Sequence, residues 1–288
     1  MSLTLFKADL KGNALLWAII AYAMMIYFSV IAFMFDPTDT TAIASMLELL
    51  PEGLMSAFGF DSVSTDLTGF LADYYYGFIV FIIPLIYCII TANKLVVKLV
   101  DNGSFSYLLM APVSRRKIIV TKGVCLLLSI ALLFTLLCTA GGSVCRILFG
   151  DMLDRRIFLR INLNAALLTM LVGMICFFYS CLFNEARLAL SWSSGVTVGS
   201  LLLFVLGGVS PKAGLLKDLS IYSLLDTQRI LEGSGTAGLE GVLTAMILAG
   251  AQPGRLSHSG VRRRGSHQHE LGGRRHCGRR PGGIQIVQ

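Results

Sequence analysis

The stretch NALLWAIIAYAMMIYFSVIAFMF, Asn13 to Phe35, decides the fold class of this chain. A helix needs about 20 apolar residues to cross the hydrocarbon core of a bilayer, and this stretch provides them without one charged side chain. In hydrocarbon every backbone N–H and C=O group must find a partner inside the protein, which an α-helix achieves locally. We therefore expect a membrane-spanning helix here.

Four further runs share this composition and again lack charged residues. They are Tyr74 to Ala92, Gly123 to Gly142, Asn164 to Phe183 and Leu188 to Val209. A sixth run starts at Leu239 and stops near Ala251, which makes it too short to span. The sequence therefore predicts an all-α fold, a polytopic transmembrane helical bundle with five full spans and a truncated sixth.

The overall composition disfavours several other classes of protein. The 288 residues are 55% hydrophobic and 14% charged, whereas ordinary soluble domains carry about 25% charged residues. The net charge of +7 lies entirely in residues 252–288, and Met1 to Ala251 is balanced. A water-soluble enzyme and a protein that binds a specific nucleic acid are therefore disfavoured.

The charges that flank the runs predict the orientation of the chain, because Lys and Arg near span ends are retained on the cytoplasmic side. The connection Asp36 to Asp73 contains acidic residues but no Lys or Arg, which places it outside. The connection Asn93 to Lys122 is basic, and Lys7 and Lys11 precede the first run. We expect a multi-pass protein of the plasma (cell) membrane with a cytoplasmic amino terminus.

One connection contradicts this orientation. Between the third and fourth runs the chain carries four arginines and two aspartates, yet the alternation of spans places them outside. The arginines are Arg146, Arg155, Arg156 and Arg160, and the aspartates are Asp151 and Asp154. Because the first connections usually dominate orientation, the cytoplasmic amino terminus remains the prediction.

The amino-terminal stretch before the first run is predicted to form a helix of its own. In SLTLFKADLKGN, Leu3, Phe6 and Leu10 fall on one face, with Lys7 and Lys11 toward the lipid headgroups. We expect a short interfacial elbow helix here, and the alternative is a frayed cytoplasmic end.

The body of the chain offers no residues typical of catalysis, metal binding or nucleotide binding. All four histidines lie beyond residue 251, and neither paired C-x-x-C spacing nor a G-x-x-x-x-G-K-[ST] loop occurs. The five runs also lack the ionisable groups that an ion-coupled carrier needs near the midplane. We predict that this chain is not an enzyme, holds no cofactor or metal, and would depend on another protein to energise transport.

The basic connection contains a short amphipathic element within the string DNGSFSYLLMAPVSRRKIIVTK, Asp101 to Lys122. Phe105, Leu108 and Leu109 recur at the spacing of one helical face. The predicted helix ends before Pro112, because proline disfavours the helical conformation of the residue that precedes it. Two interpretations are open: an interfacial helix that rests on lipid, or a helix whose apolar stripe docks in a groove of a soluble partner.

The residues around this stripe complete the motif. Asp101 to Gly103 break the preceding helix, Ser104, Ser106 and Tyr107 fall on the opposite side, and Ser114 is a good N-cap for the next helix. The candidate residues for contact with a partner are Asp101, Asn102, Gly103, Ser104, Phe105, Tyr107, Leu108, Leu109, Pro112, Val113, Ser114, Arg115 and Arg116.

This string resembles the cytoplasmic coupling segment of ATP-binding-cassette (ABC) exporter permeases of the second type. Those segments commonly read acidic-x-Gly-[Ser/Thr], then leucines, then Pro-x-Ser-Arg with a basic continuation. Here the corresponding residues are Asp101, Gly103, Leu108, Leu109 and the run Pro112 to Arg115.

The resemblance implies a six-span permease subunit of an ATP-driven exporter. It also implies a homodimer or heterodimer of permease subunits and a separate ABC ATPase subunit that is bound through the coupling segment. The alternative is a membrane anchor or accessory protein that recruits a soluble partner and transports nothing.

Residues 252–288 depart from this pattern. They contain eight arginines and one glutamate and are rich in Gly and His. A shifted reading frame in GC-rich DNA gives such a composition, and our hypothesis is that this stretch is not selected protein. A polybasic tail that binds anionic lipid or RNA without specificity is the alternative. We expect a permease domain over residues 1–251 and a disordered tail over 252–288.

Overall fold

The computed structural model describes residues 3–35, 66–77, 79–96, 115–183, 185–209 and 220–225. These residues form helices and the turns between them, with no β-strand in any of the ranges. The elements are α1 (Leu3–Met34), α2 (Leu67–Tyr74), α3 (Ile79–Leu95), α4 (Arg115–Phe149), α5 (Arg155–Leu182), α6 (Ala186–Val209) and a 3-10 turn (Ile221–Leu224). The predicted all-α fold is confirmed.

The described helices account for four to five membrane spans. Four are long and apolar enough to cross a bilayer, namely Phe6–Met34, Ile118–Phe149, Arg155–Leu182 and Ala186–Gly208. The pair α2 and α3 meets the same criterion jointly, with a bend of 47° between the two helices. With that pair taken as one broken span, the count equals the five predicted. The short run from Leu239 to Ala251 and the basic tail lie outside the described residues.

The second span begins earlier than predicted, which is a correction to the sequence-based boundary at Tyr74. α2 starts at Leu67 and buries nearly every residue it contains, including Asp73 at 1% exposure. The helix then stops at Tyr75 and Tyr76, whose N–H groups both donate to the carbonyl of Leu71. Bulky aromatic residues followed by Gly77 have poor helix propensity. Residues 67–73 therefore belong to the bundle and not to the outer connection.

The predicted elbow before the first run is also wrong. α1 continues without a break from Leu3 to Met34, so the amino-terminal stretch extends the first span and is not a separate interfacial helix. Leu10, Lys7 and Lys11 are exposed along this extension.

α5 lies at the centre of the bundle. It packs against α3, α4 and α6. Within its most apolar 18-residue stretch 61% is buried, whereas the corresponding share is 28% in both α1 and α6. The large side chains that α1 and α6 expose, such as Ile19, Phe33, Trp192 and Leu202, are apolar. In a bilayer these faces would contact lipid.

A tight turn joins α4 to α5. Gly150 closes α4 with a left-handed φ of 66°, a conformation that favours glycine at this position. Asp154 then begins α5, because its Oδ1 accepts hydrogen bonds from the N–H groups of Arg156 (2.9 Å) and Ile157 (3.3 Å). The two helices thus reverse direction within a few residues.

Candidate functional site

The predicted partner-contacting segment lies mostly outside the described residues. Asp101 to Ser114 are not among them, whereas Arg115 and Arg116 form the start of α4. That start agrees with the prediction of a helix opening after Ser114. The structure does describe both points at which the segment joins the bundle, namely the end of α3 at Leu95 and the first residue of α4. We call the end of the bundle that carries these two points the basal end.

An ion pair joins α1 to α4 at the basal end. The Lys122 Nζ donates to both carboxylate oxygens of Asp9, at 3.0 and 3.1 Å. The two side chains are only 5% and 16% exposed. Charged groups this far removed from water are stable only while each retains its partner. The position of α4 relative to α1 is therefore fixed near the root of the segment.

A second lysine joins α3 to the same part of α1. The Lys94 Nζ donates to the backbone carbonyl oxygen of Gly12. Lys94 stands in the last turn of α3, where a cation also interacts favourably with the helix dipole. We refer to Asp9, Gly12, Lys94 and Lys122 as the basal cluster, and it holds α1, α3 and α4 together.

A hydrogen-bonded node joins the same three helices farther along α4. The hydroxyl of Tyr87 in α3 donates to Ser129 Oγ (2.8 Å), and Ser129 Oγ donates to the Leu126 carbonyl (2.7 Å). Trp17 Nε1 of α1 donates to the backbone carbonyl of Ser129 at 3.0 Å. Ser129 lies two helical turns beyond Lys122, about 10 Å along the axis. The three helices are thus fixed to each other at two levels.

Sequence reasoning did not identify the basal cluster. In the sequence, Lys94 and Lys122 serve as signals of orientation, and Asp9 has no assigned role because it stands between Lys7 and Lys11 in a basic stretch. The signal that could have revealed it is the helical register. Asp9 precedes the first apolar run by four residues and Lys122 precedes the third by one, so both lie within about one turn of the start of a run.

The structure also places charge within spans that the sequence predicted to be free of it. Asp73 and Lys122 are 1% and 4% exposed, in α2 and α4 respectively. The predicted runs excluded both because they begin one residue later. Both residues lie near the ends of their spans, so they do not supply the midplane charge that an ion-coupled carrier needs. Among the side chains described, no group of three or more His, Cys, Asp or Glu residues could hold a metal ion.

Comparisons with known protein families, with known proteins and with solved structures give no match for this chain. A functional proposal rests on the motif in residues 101–116 and on the geometry of the basal end.

Proposed function

We propose that this chain is the membrane-spanning permease subunit of an ATP-driven ABC exporter. In this proposal residues 101–116 bind a separate ATPase subunit, and nucleotide-driven movement of that subunit is transmitted to the spans. The observation that carries the proposal is the basal cluster, which links both roots of the segment to α1 through Lys94 and Lys122.

The basal cluster suits transmission of movement because it restricts the motion of α1, α3 and α4 relative to each other. A displacement of the segment reaches the bundle through the last turn of α3 and the first turns of α4. Because Lys94 and Lys122 are bonded to α1, α1 would move together with α3 and α4. The node at Ser129 repeats the connection farther along α4. The three helices would therefore move as one body, while residues 97–114 receive the force.

The remaining parts of the proposal follow from the same role. The permease lies in the plasma membrane with its basal end and amino terminus in the cytoplasm, where an ATPase has access to ATP. A second permease subunit, identical or related, completes the transporter. The apolar faces of α1 and α6 remain available for it and for lipid.

The test is purification of the full chain from its native membranes in mild detergent, with identification of proteins that co-purify and measurement of ATP hydrolysis. We expect an ABC ATPase subunit in the wild-type preparation. Leu108→Asp and Leu109→Asp should each lower its recovery about tenfold or more, because a carboxylate buried in an apolar groove without a partner costs more than about 1.4 kcal/mol.

The matched control is Ser106→Asp, which introduces the same charge on the opposite side of the predicted stripe. It should leave recovery of the ATPase within about twofold of wild type. Co-purification of a soluble partner that does not hydrolyse ATP would favour the membrane anchor over the permease. Gradient-driven uptake without ATP would favour an ion-coupled carrier.

A further inference from the structure

The break between α2 and α3 interrupts the backbone hydrogen bonds of the second span. In a continuous helix the N–H of Tyr76 would donate to the carbonyl of Ala72, four residues earlier. Here it donates to the carbonyl of Leu71 at 3.1 Å, which also accepts from the N–H of Tyr75 at 3.0 Å. The Ala72 carbonyl therefore loses its regular donor in a part of the chain where lipid provides no substitute.

The two tyrosines at the break differ in how their hydroxyl groups are satisfied. The side chains of Tyr75 and Tyr76 are both fully buried. The hydroxyl of Tyr75 donates to the backbone carbonyl of Met24 in α1 at 3.3 Å. The hydroxyl of Tyr76 has no hydrogen-bond partner among the residues that the structure describes. Burial alone therefore does not distinguish the two groups, but hydrogen bonding does.

A second polar atom without a partner lies next to the Tyr76 hydroxyl. This hydroxyl interacts electrostatically with the side-chain amide of Asn162 in α5, but the contact does not have the geometry of a hydrogen bond. Asn162 Nδ2 instead donates to the carbonyl of Phe158 at 3.1 Å. That bond fixes the orientation of the amide, and within the described part of the chain Asn162 Oδ1 has no donor. Asn162 is buried about 10 Å into α5, which starts at Arg155.

Aromatic rings hold the Tyr76 hydroxyl in this position. The ring of Tyr76 packs edge-on against that of Tyr75, with centroids 5.1 Å apart, and against that of Phe158 at 6.3 Å. The side chain cannot turn its hydroxyl toward bulk water without separating these rings. A phenol group and the oxygen of the Asn162 amide thus remain in an apolar environment, where an unpaired polar group is costly.

We propose that a water molecule binds between the Tyr76 hydroxyl and Asn162 Oδ1. Water accepts a hydrogen bond from the phenol and donates one to the amide oxygen, so one molecule satisfies both groups. Its second hydrogen is available to another acceptor, and the Ala72 carbonyl is the one that the break deprives of its regular donor. Ordered water is one of the means by which broken membrane helices satisfy such groups. The site links the bend in the second span to α5, and this inference does not depend on the proposed transport function.

The test is X-ray radiolytic labelling of the full chain in nanodiscs that are equilibrated with heavy-oxygen water. A hydroxyl radical formed from a bound water adds to an adjacent tyrosine ring, and fragment-ion mass spectrometry locates the heavy oxygen. The comparison residue is Tyr87, which is equally buried but whose hydroxyl donates to Ser129 Oγ. We expect Tyr76 to be labelled several-fold faster than Tyr87.

The variant Asn162→Leu replaces the amide with two methyl groups of similar shape and removes one partner of the water. It should lower the labelling of Tyr76 to the level of Tyr87. The matched control is Asn164→Leu, because Asn164 lies on the same helix and its Nδ2 donates in the same way to the Arg160 carbonyl. This control should leave the labelling of Tyr76 unchanged.

Two results would overturn the proposal. One is labelling of Tyr76 in the wild-type chain that is no faster than that of Tyr87, a comparison that does not require either variant to fold. The other is labelling of Tyr76 that stays the same in a folded Asn162→Leu variant, because the oxygen of Asn162 would then hold no water.

Discussion

At the scale of single residues, Lys122 shows how a charge is accommodated where a span meets the membrane boundary. Its Nζ is held by both carboxylate oxygens of Asp9 and is almost fully buried. A lysine with a long aliphatic stem usually extends its charge into water. Here the charge is instead compensated inside the protein by an aspartate that lies 113 residues earlier, so that removal of either partner leaves the other uncompensated.

We expect Lys122→Met to lower the free energy of unfolding by about 2–3 kcal/mol. This is below the roughly 3–5 kcal/mol seen for fully buried pairs, because Asp9 retains some contact with water. Asp9→Asn combined with Lys122→Met should recover most of the loss, since no buried charge remains. The measurement is equilibrium unfolding of the purified chain in detergent.

Lys11→Met, at an exposed position of the same helix as Asp9, is the control and should change stability by less than about 0.5 kcal/mol. Equal losses in the single and double variants would contradict the assignment.

The Asp9–Lys122 contact could not be predicted from the sequence, although each residue could be placed at the membrane boundary. Hydropathy marks the depth of a residue within a span but not the direction of its side chain around the helix axis. The packing of α1 against α4 decides that direction, and it depends on shape complementarity between distant parts of the chain. The same uncertainty hides the bond from Lys94 to Gly12.

At the scale of elements, helices α4 and α5 extend well beyond the apolar runs that revealed them. α5 starts at Arg155, whereas the run starts at Asn164. Hydropathy detects only the lipid-exposed or buried part of a helix, because a helix backbone satisfies its hydrogen bonds whether its side chains are apolar or charged. The existence of four to five spans was therefore predictable from the sequence, while the ends of the helices and the break between α2 and α3 were not.

Close packing of α5 against α3 and α4 depends on Gly173. A Cβ atom at this position would lie 3.0 Å from Ile130 Cδ1 and 3.4 Å from Cys88 Sγ. We expect Gly173→Val to destabilise the bundle by about 3 kcal/mol, because overpacking forces helices and side chains apart. The loss should appear as a lower Tm of the purified chain.

The matched control for that substitution is Gly195→Val on α6. A Cβ atom at Gly195 would meet no described atom within 4 Å, so added methyl groups extend into space that lipid can fill. Its Tm should stay close to that of wild type. A similar fall in both variants would show that the effect arises from helix propensity and not from packing at the α5 interface.

At the scale of the whole molecule, the antiparallel order of the helices places the α4–α5 turn and the α5–α6 turn at opposite ends of α5. The predicted orientation can therefore be tested with one substitution in each turn. In a variant without native cysteines, Met152→Cys should react with a membrane-impermeant maleimide in intact cells, and Glu185→Cys only after permeabilisation. Both positions are exposed. The reverse pattern of labelling would place the amino terminus outside and would contradict the predicted cytoplasmic basal end.

The length of α4 has a consequence for any water-soluble protein that approaches the basal end. Residues 115–122 precede the apolar run and extend the helix by about 12 Å, while the headgroup layer on each side of a bilayer is only about 5–8 Å thick. Even with a tilt of about 20°, an extension of this length would cross that layer. A water-soluble protein would therefore reach residues 97–114 without contacting the lipid.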